Sequence, residues 1–181
     1  ANNCSSMASA VITEPSLLTT TTSAADALCN GVCSGSVTVF AAGGTSPFNY
    51  LWNDILVQTT ETATGLCAGS YSVTVTDGNN CSAIANDTVS EPTVLQLSST
   101  VFDANCGQPN GNACVVVSGA TGPYNYLWSG GEINQCLNNV TSGNYNITVT
   151  DANGCSGNLG VSIQDLNGPV ISISSITNIT C

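Results

Sequence analysis

Polar and apolar residues alternate in short bursts along this chain. Tyr71, Val73 and Val75 fall on one side of an extended segment, and Ser72, Thr74 and Thr76 on the other. Tyr145, Ile147 and Val149 repeat the pattern. A period of two is that of a half-buried β-strand, whose successive side chains point to opposite faces. Phe48, Tyr50 and Trp52 share a face in the same way, as do Tyr124, Tyr126 and Trp128. Between such bursts stand turn-forming clusters, Asp77-Gly78-Asn79-Asn80 and Asp151-Ala152-Asn153-Gly154. Asp and Asn bend the chain by accepting hydrogen bonds from backbone N–H groups just ahead, and Gly adopts φ values closed to other residues. No segment sustains a helical period, and Ala24-Ala25-Asp26-Ala27-Leu28 has room for one helical turn at most.

The bursts recur. Gly43 to Trp52 reads like Gly119 to Trp128, and Gly69 to Asp77 like Gly143 to Asp151. The tryptophans are 76 residues apart and the aspartates 74, so the difference falls in a loop. A fixed period of this kind signals tandem structural units. The expected division is the end of a preceding repeat in 1–16, one repeat in 17–92, a second in 93–168 and the start of another in 169–181. Glu14-Pro15 and Glu91-Pro92 sit at the boundaries, where proline ends a strand and stiffens a short linker. Six or seven short strands fit each repeat, which predicts an all-β fold of tandem sandwiches. Two features match an immunoglobulin-like sandwich: a core Trp on the third strand (Trp52, Trp128), and a Tyr soon after a Gly turn at the start of the next-to-last strand (Tyr71, Tyr145). These four aromatics are expected in the cores. Only loop residues such as Phe48 and Tyr124 would suit a ligand platform.

Charge narrows the functional classes. The 181 residues include no Lys, Arg or His and 11 Asp or Glu, a formal net charge of −11. No side-chain ion pair can form. Nucleic acid is not an expected partner, because phosphates are neutralised by Lys and Arg, and an anionic membrane surface would repel the chain. The longest purely aliphatic runs, such as Val115-Val116-Val117, are too short to cross a bilayer. Without His or Lys the usual general bases are missing, so no enzymatic activity and no catalytic residue are expected. Asp77 and Asp151 suit turn capping better than paired-carboxylate hydrolysis, which needs two acids in one cleft. No cofactor is expected either. Asp, Asn and carbonyl oxygens are hard ligands that suit calcium, but no EF-hand or RTX-like ligand run occurs, which favours solvated carboxylates.

Ten cysteines in a chain this long point to an oxidising compartment and a disulfide framework. Zinc is disfavoured because CxxC pairs and His are absent. Cys33 and Cys67 occur only in the first repeat, and Cys114 and Cys136 only in the second. A pair present in one repeat and missing from the other most simply bonds to itself. Cys29, Cys106 and Cys181 recur before the second strand, and Cys4, Cys81 and Cys155 after the turn that follows the next-to-last strand. In an immunoglobulin topology those places lie at opposite ends of one sandwich. That favours Cys29–Cys155, between successive repeats, over Cys29–Cys81 within one. The partners of Cys4, Cys81, Cys106 and Cys181 stay open.

The joint pattern G-[GA]-x-x-P-[FY]-x-Y-x-W followed by G-x-Y-x-[VI]-T-V-T-D-x-x-[GN]-C, present twice, resembles the SprB repeat. That family builds very large surface adhesins of gliding Bacteroidota, exported by the type IX secretion system. The first repeat departs from the family at Asn79-Asn80 and lacks the Ser/Asn-Gly after Trp52 that the second keeps as Ser129-Gly130. The resemblance implies an extracellular, cell-surface segment of an adhesin or filament, partnered by neighbouring repeats and acting as a rigid spacer or fibre. A carbohydrate-binding module contacting surface glycans is the alternative. Asp87-Thr88-Val89 resembles the short O-glycosylation sequon of Bacteroidota, with Thr88 as acceptor.

Overall fold

The computed structural model describes residues 7–166. Cys4, Cys181 and the segment expected to open a further repeat, 169–181, therefore lie outside the described residues. The chain divides into two compact units. The first takes the residues before Leu28 together with Gly31–Glu91, and the second takes Leu28–Asn30 together with the residues from Pro92 onward.

In the first unit six strands form two three-stranded antiparallel sheets. One sheet has β1 (Thr19–Ala25), β2 (Gly35–Ala42) and β4 (Thr62–Leu66) in the order β1-β2-β4. The other has β3 (Asn49–Trp52), β5 (Gly69–Thr76) and β6 (Ser82–Val89) in the order β3-β5-β6. Strands thus switch between sheets, as sandwich connections do, and the inner faces meet in one core. Val37 and Val39 of β2, Ala63 of β4, Val73 and Val75 of β5 and Trp52 of β3 are all buried there. Ser, Thr and Asn fill most of the alternate positions, with Phe40, Leu51 and Ile84 as exposed apolar exceptions, so the alternation in the sequence largely separates core from surface. Ala24 and Ala25 end β1 and no helical turn follows them: Ala24 and Ala25 pair with Val37 and Ser36, and that pairing holds them extended.

The second unit repeats the plan. One sheet has β7 (Gln96–Phe102), β9 (Gly111–Ser118) and β11 (Cys136–Val140), the other β10 (Asn125–Trp128), β12 (Gly143–Thr150) and β13 (Ser156–Ile163). Trp128, Val115, Leu137, Ile147, Val149 and Val161 form its core. It also carries two very short strands, β8 (Ala104–Asn105) and β14 (Asp165–Leu166), paired in parallel. The sequence offers no alternation over so short a length, and this pairing was not expected.

The corner between the second and third strands is built alike in both units. Gly43 and Gly119 adopt φ of 73° and 75°, and a Cβ at either would collide with the carbonyl oxygen of Leu17 or Val94. The linker backbone is therefore packed against this corner, with Gly44 N–H donating to Ser16 O at 2.8 Å and Ala120 N–H to Thr93 O at 2.9 Å. Only glycine fits where the two backbones approach so closely. A cis proline follows at the same place in each unit, Ser46–Pro47 and Gly122–Pro123.

Candidate functional site

The carboxylate at the last hairpin of each unit accepts three backbone hydrogen bonds. Asp77 Oδ1 accepts the N–H groups of Asn79 (2.9 Å) and Cys81 (2.8 Å), and its Oδ2 accepts that of Thr45 (2.9 Å). Asp151 does the same with Asn153, Cys155 and Thr121 at 2.9, 2.8 and 3.1 Å. Both side chains are buried. Burial pushes each carboxyl pKa up, but the N–H donors outweigh it and hold both below the ordinary carboxylate value. Each carboxylate therefore closes its own turn and ties it to the loop after the second strand. Oxygens used in this way are turn caps. Among the described residues no three acidic or sulfur side chains converge as a metal site.

Asp54 plays a similar part in the first unit alone. It is buried, and it accepts hydrogen bonds from Leu56 N–H, Gln58 N–H and the Gln58 side-chain amide at 3.1, 2.9 and 2.9 Å. Burial raises its pKa and these bonds, led by the Gln58 side chain, more than compensate, so the net shift is downward. The turn it holds displays Ile55, Leu56 and Val57 to solvent, with Ile55 98% exposed. Sequence reasoning passed over this apolar tip. The available signal was the missing Ser-Gly after Trp52: where the second repeat turns on Ser129-Gly130-Gly131, the first carries the aliphatic run Ile55-Leu56-Val57 in a longer loop.

The aromatics are structural. Trp52 and Trp128 are buried, and their indole N–H groups donate to Thr60 O (2.8 Å) and Asn134 O (2.9 Å). Tyr71 and Tyr145 donate their hydroxyls to the carbonyls of Cys67 and Thr141, four residues upstream, at 2.9 and 2.8 Å. This is the geometry of a tyrosine corner, which fastens the turn entering the strand. Phe48 and Tyr124 do not form a free platform. Both are partly buried against the core of their own unit, and the Tyr124 hydroxyl is spent on Gly119 O.

The cysteines fall into two groups. Cys33 is bonded to Cys67, closing the end of the sheet where β2 and β4 pair. Cys114 is bonded to Cys136, which stands directly opposite it on β9 and β11. Cys29 is bonded to Cys155 with a Cα–Cα distance of 5.8 Å. That bond lies in the second unit, whose Asn153 side-chain amide also donates to Leu28 O at 2.9 Å. Cys81 and Cys106 carry free, exposed thiols. Thr88 is exposed on β6, with its hydroxyl 3.4 Å from that of Ser70. The described residues include no helix long and apolar enough to cross a membrane.

The family model for the SprB repeat matches two segments of this chain, residues 21–57 and 98–132. These segments run from the first strand of each unit into the loop after its tryptophan strand. A repeat segment associated with surface adhesins is the reading this match supports. No curated protein matches the chain. Among solved structures it is similar to an amphioxus IgVJ-C2 molecule, at 12% identity over 79% of this chain and 96% of that one, with a TM-score of 0.34. The immunoglobulin-like description rests on the sheet order, the buried tryptophans and the tyrosine corners rather than on that score.

Proposed function

We propose that this chain is a structural repeat segment of an extracellular bacterial adhesin or surface filament, serving as a rigid spacer or as the fibre itself, with no catalytic role. The observation that carries the reading is that one plan occurs twice at the two SprB-repeat segments, with its polar groups turned inward to build turns. Such an array gains length by adding units, each with a complete core of its own. Cell-surface exposure suits the disulfides, which persist in oxidising surroundings. The absence of Lys and Arg leaves trypsin-like proteases nothing to cut.

The rival reading is a carbohydrate-binding module. Its natural aromatic platform, Phe48 and Tyr124, is committed to the cores. Glycan-array screening of the oxidised chain separates the two. A spacer gives no signal above a denatured control. Saturable binding to a defined glycan class, with Kd in the micromolar range or below, makes the module the better account.

A further inference from the structure

We infer that the turn tip Ile55-Leu56-Val57 of the first unit is a lipid-contact wedge, which enters the headgroup–acyl boundary of an electroneutral phospholipid bilayer. The three side chains are 98%, 72% and 57% exposed, so they stand clear of the unit's own core. The fold does not need them. In the second unit the same strand end is closed by Ser129-Gly130-Gly131, with Trp128 N–H donating to Glu132 O at 2.9 Å as Trp52 N–H donates to Gln58 O at 3.0 Å. Val57 moreover has a φ of 50°, a left-handed value that a β-branched residue rarely adopts. Strain of this kind persists only where the surroundings fix it, and it points to a function for the residue that bears it.

The surroundings do fix it. Asp54 accepts the N–H groups of Leu56 and Gln58, and its carbonyl accepts that of Val57 at 3.0 Å. The Gln58 side chain clamps the loop to β4, donating to Thr64 O and accepting from Thr64 N–H, both at 3.0 Å. Three successive N–H groups are thus satisfied from inside the loop. Such a tip can leave water without stranding these donors, which is what a hydrocarbon surface demands and a protein partner does not.

Size and charge choose the occupant. Three residues cannot supply the roughly 800 Å² that each partner gives to a stable protein interface, a second copy of this chain included. Lipid sets no such threshold, because it closes around a protruding apolar group. With 11 carboxylates and no cation the chain is repelled by an anionic leaflet, which leaves an uncharged lipid surface. The inference does not depend on the spacer reading, and a glycan array leaves it untouched.

The test is flotation of the full oxidised chain with phosphatidylcholine vesicles in about 0.15 M salt. The parent should rise with the lipid. Ile55→Ser combined with Leu56→Ser should lower the partition coefficient about tenfold or more, through the lost transfer of two aliphatic side chains. Its melting curve should stay that of the parent, because the hydrogen bonds of the turn run through backbone N–H groups and Gln58. Leu56→Trp gives an independent reading that stands even if the double variant melts early. Trp52 and Trp128 are buried, so a blue shift on adding vesicles, quenched by brominated acyl chains, reports the tip. A parent that stays with the protein-only fraction overturns the inference, as does flotation that survives the double substitution or a tip Trp blind to lipid. Binding that strengthens with added phosphatidylglycerol also overturns it, and so does a parent dimer that the double variant lacks, since a second copy would then cover the tip.

Discussion

Asp77 and Asp151 show how much of each hairpin hangs on one side chain. A carboxylate receives three N–H donors here and returns none. Asn at the same place keeps one acceptor oxygen but turns an NH2 group toward the Thr45 or Thr121 N–H, donor against donor. Asp77→Asn and Asp151→Asn should each lower the melting temperature of their unit. The sign of the pH effect follows from the lowered carboxyl pKa. The unfolded state binds more protons, so stability is full above the ordinary carboxylate pKa, about 4, and is lost as pH falls through the lower folded value. Thermal melts from pH 6 to pH 2 should show a steep acid loss in the parent and a shallower one in each variant. Equal acid limbs would contradict this account. The turn role of these residues was legible in the Asp-x-Asn-[Asn/Gly] clusters. Their grip on the distant Thr45 and Thr121 backbones was not, because nothing local in the sequence reports which loop a carboxylate reaches across to.

At the scale of the strands, period-two alternation located β5 and β12 and assigned their faces, since each buries alternate residues in one core. Other elements left weaker traces. β8 and β14 have two residues each, too few for any period, and they exist through pairing with each other. The cysteines unique to one repeat were the clearest guide to cross-links, because a bond cannot depend on a partner the other repeat lacks. The Cys114–Cys136 bond spans 22 residues and crosses neighbouring strands. Loop-closure entropy assigns such a bond roughly 3 kcal/mol, which matters in a unit whose core alone is of marginal size. Each unit holds one tryptophan, so Trp52→Phe leaves Trp128 as reporter of the second. In that background, replacing Cys114 and Cys136 together by Ser should reduce unfolding stability by about 2–4 kcal/mol in urea titrations followed by fluorescence. A loss below about 0.5 kcal/mol would mean that the strand pairing, rather than the bond, limits unfolding.

For the whole molecule, the proposed spacer role demands length. A strand of eight residues, like β5 or β6, extends about 26 Å at roughly 3.3 Å per residue. With its loops, a unit then measures about 35–40 Å along the strands. Two units joined end to end through a short proline-containing linker would reach about 70–80 Å. A net charge of −11 without cations opposes folding of one unit against the other, though only over about 8 Å at physiological salt. The family pattern in the sequence spoke to the repeat and the surface setting, but linker stiffness is a property of backbone contacts that no motif encodes. Small-angle X-ray scattering on the oxidised monomer in 0.15 M salt measures this most directly. A spacer should give a skewed pair-distance distribution with a maximum dimension of about 70–80 Å, nearly unchanged between low and high salt. A symmetric distribution ending near 50 Å, the profile of a globule of this mass, would contradict it.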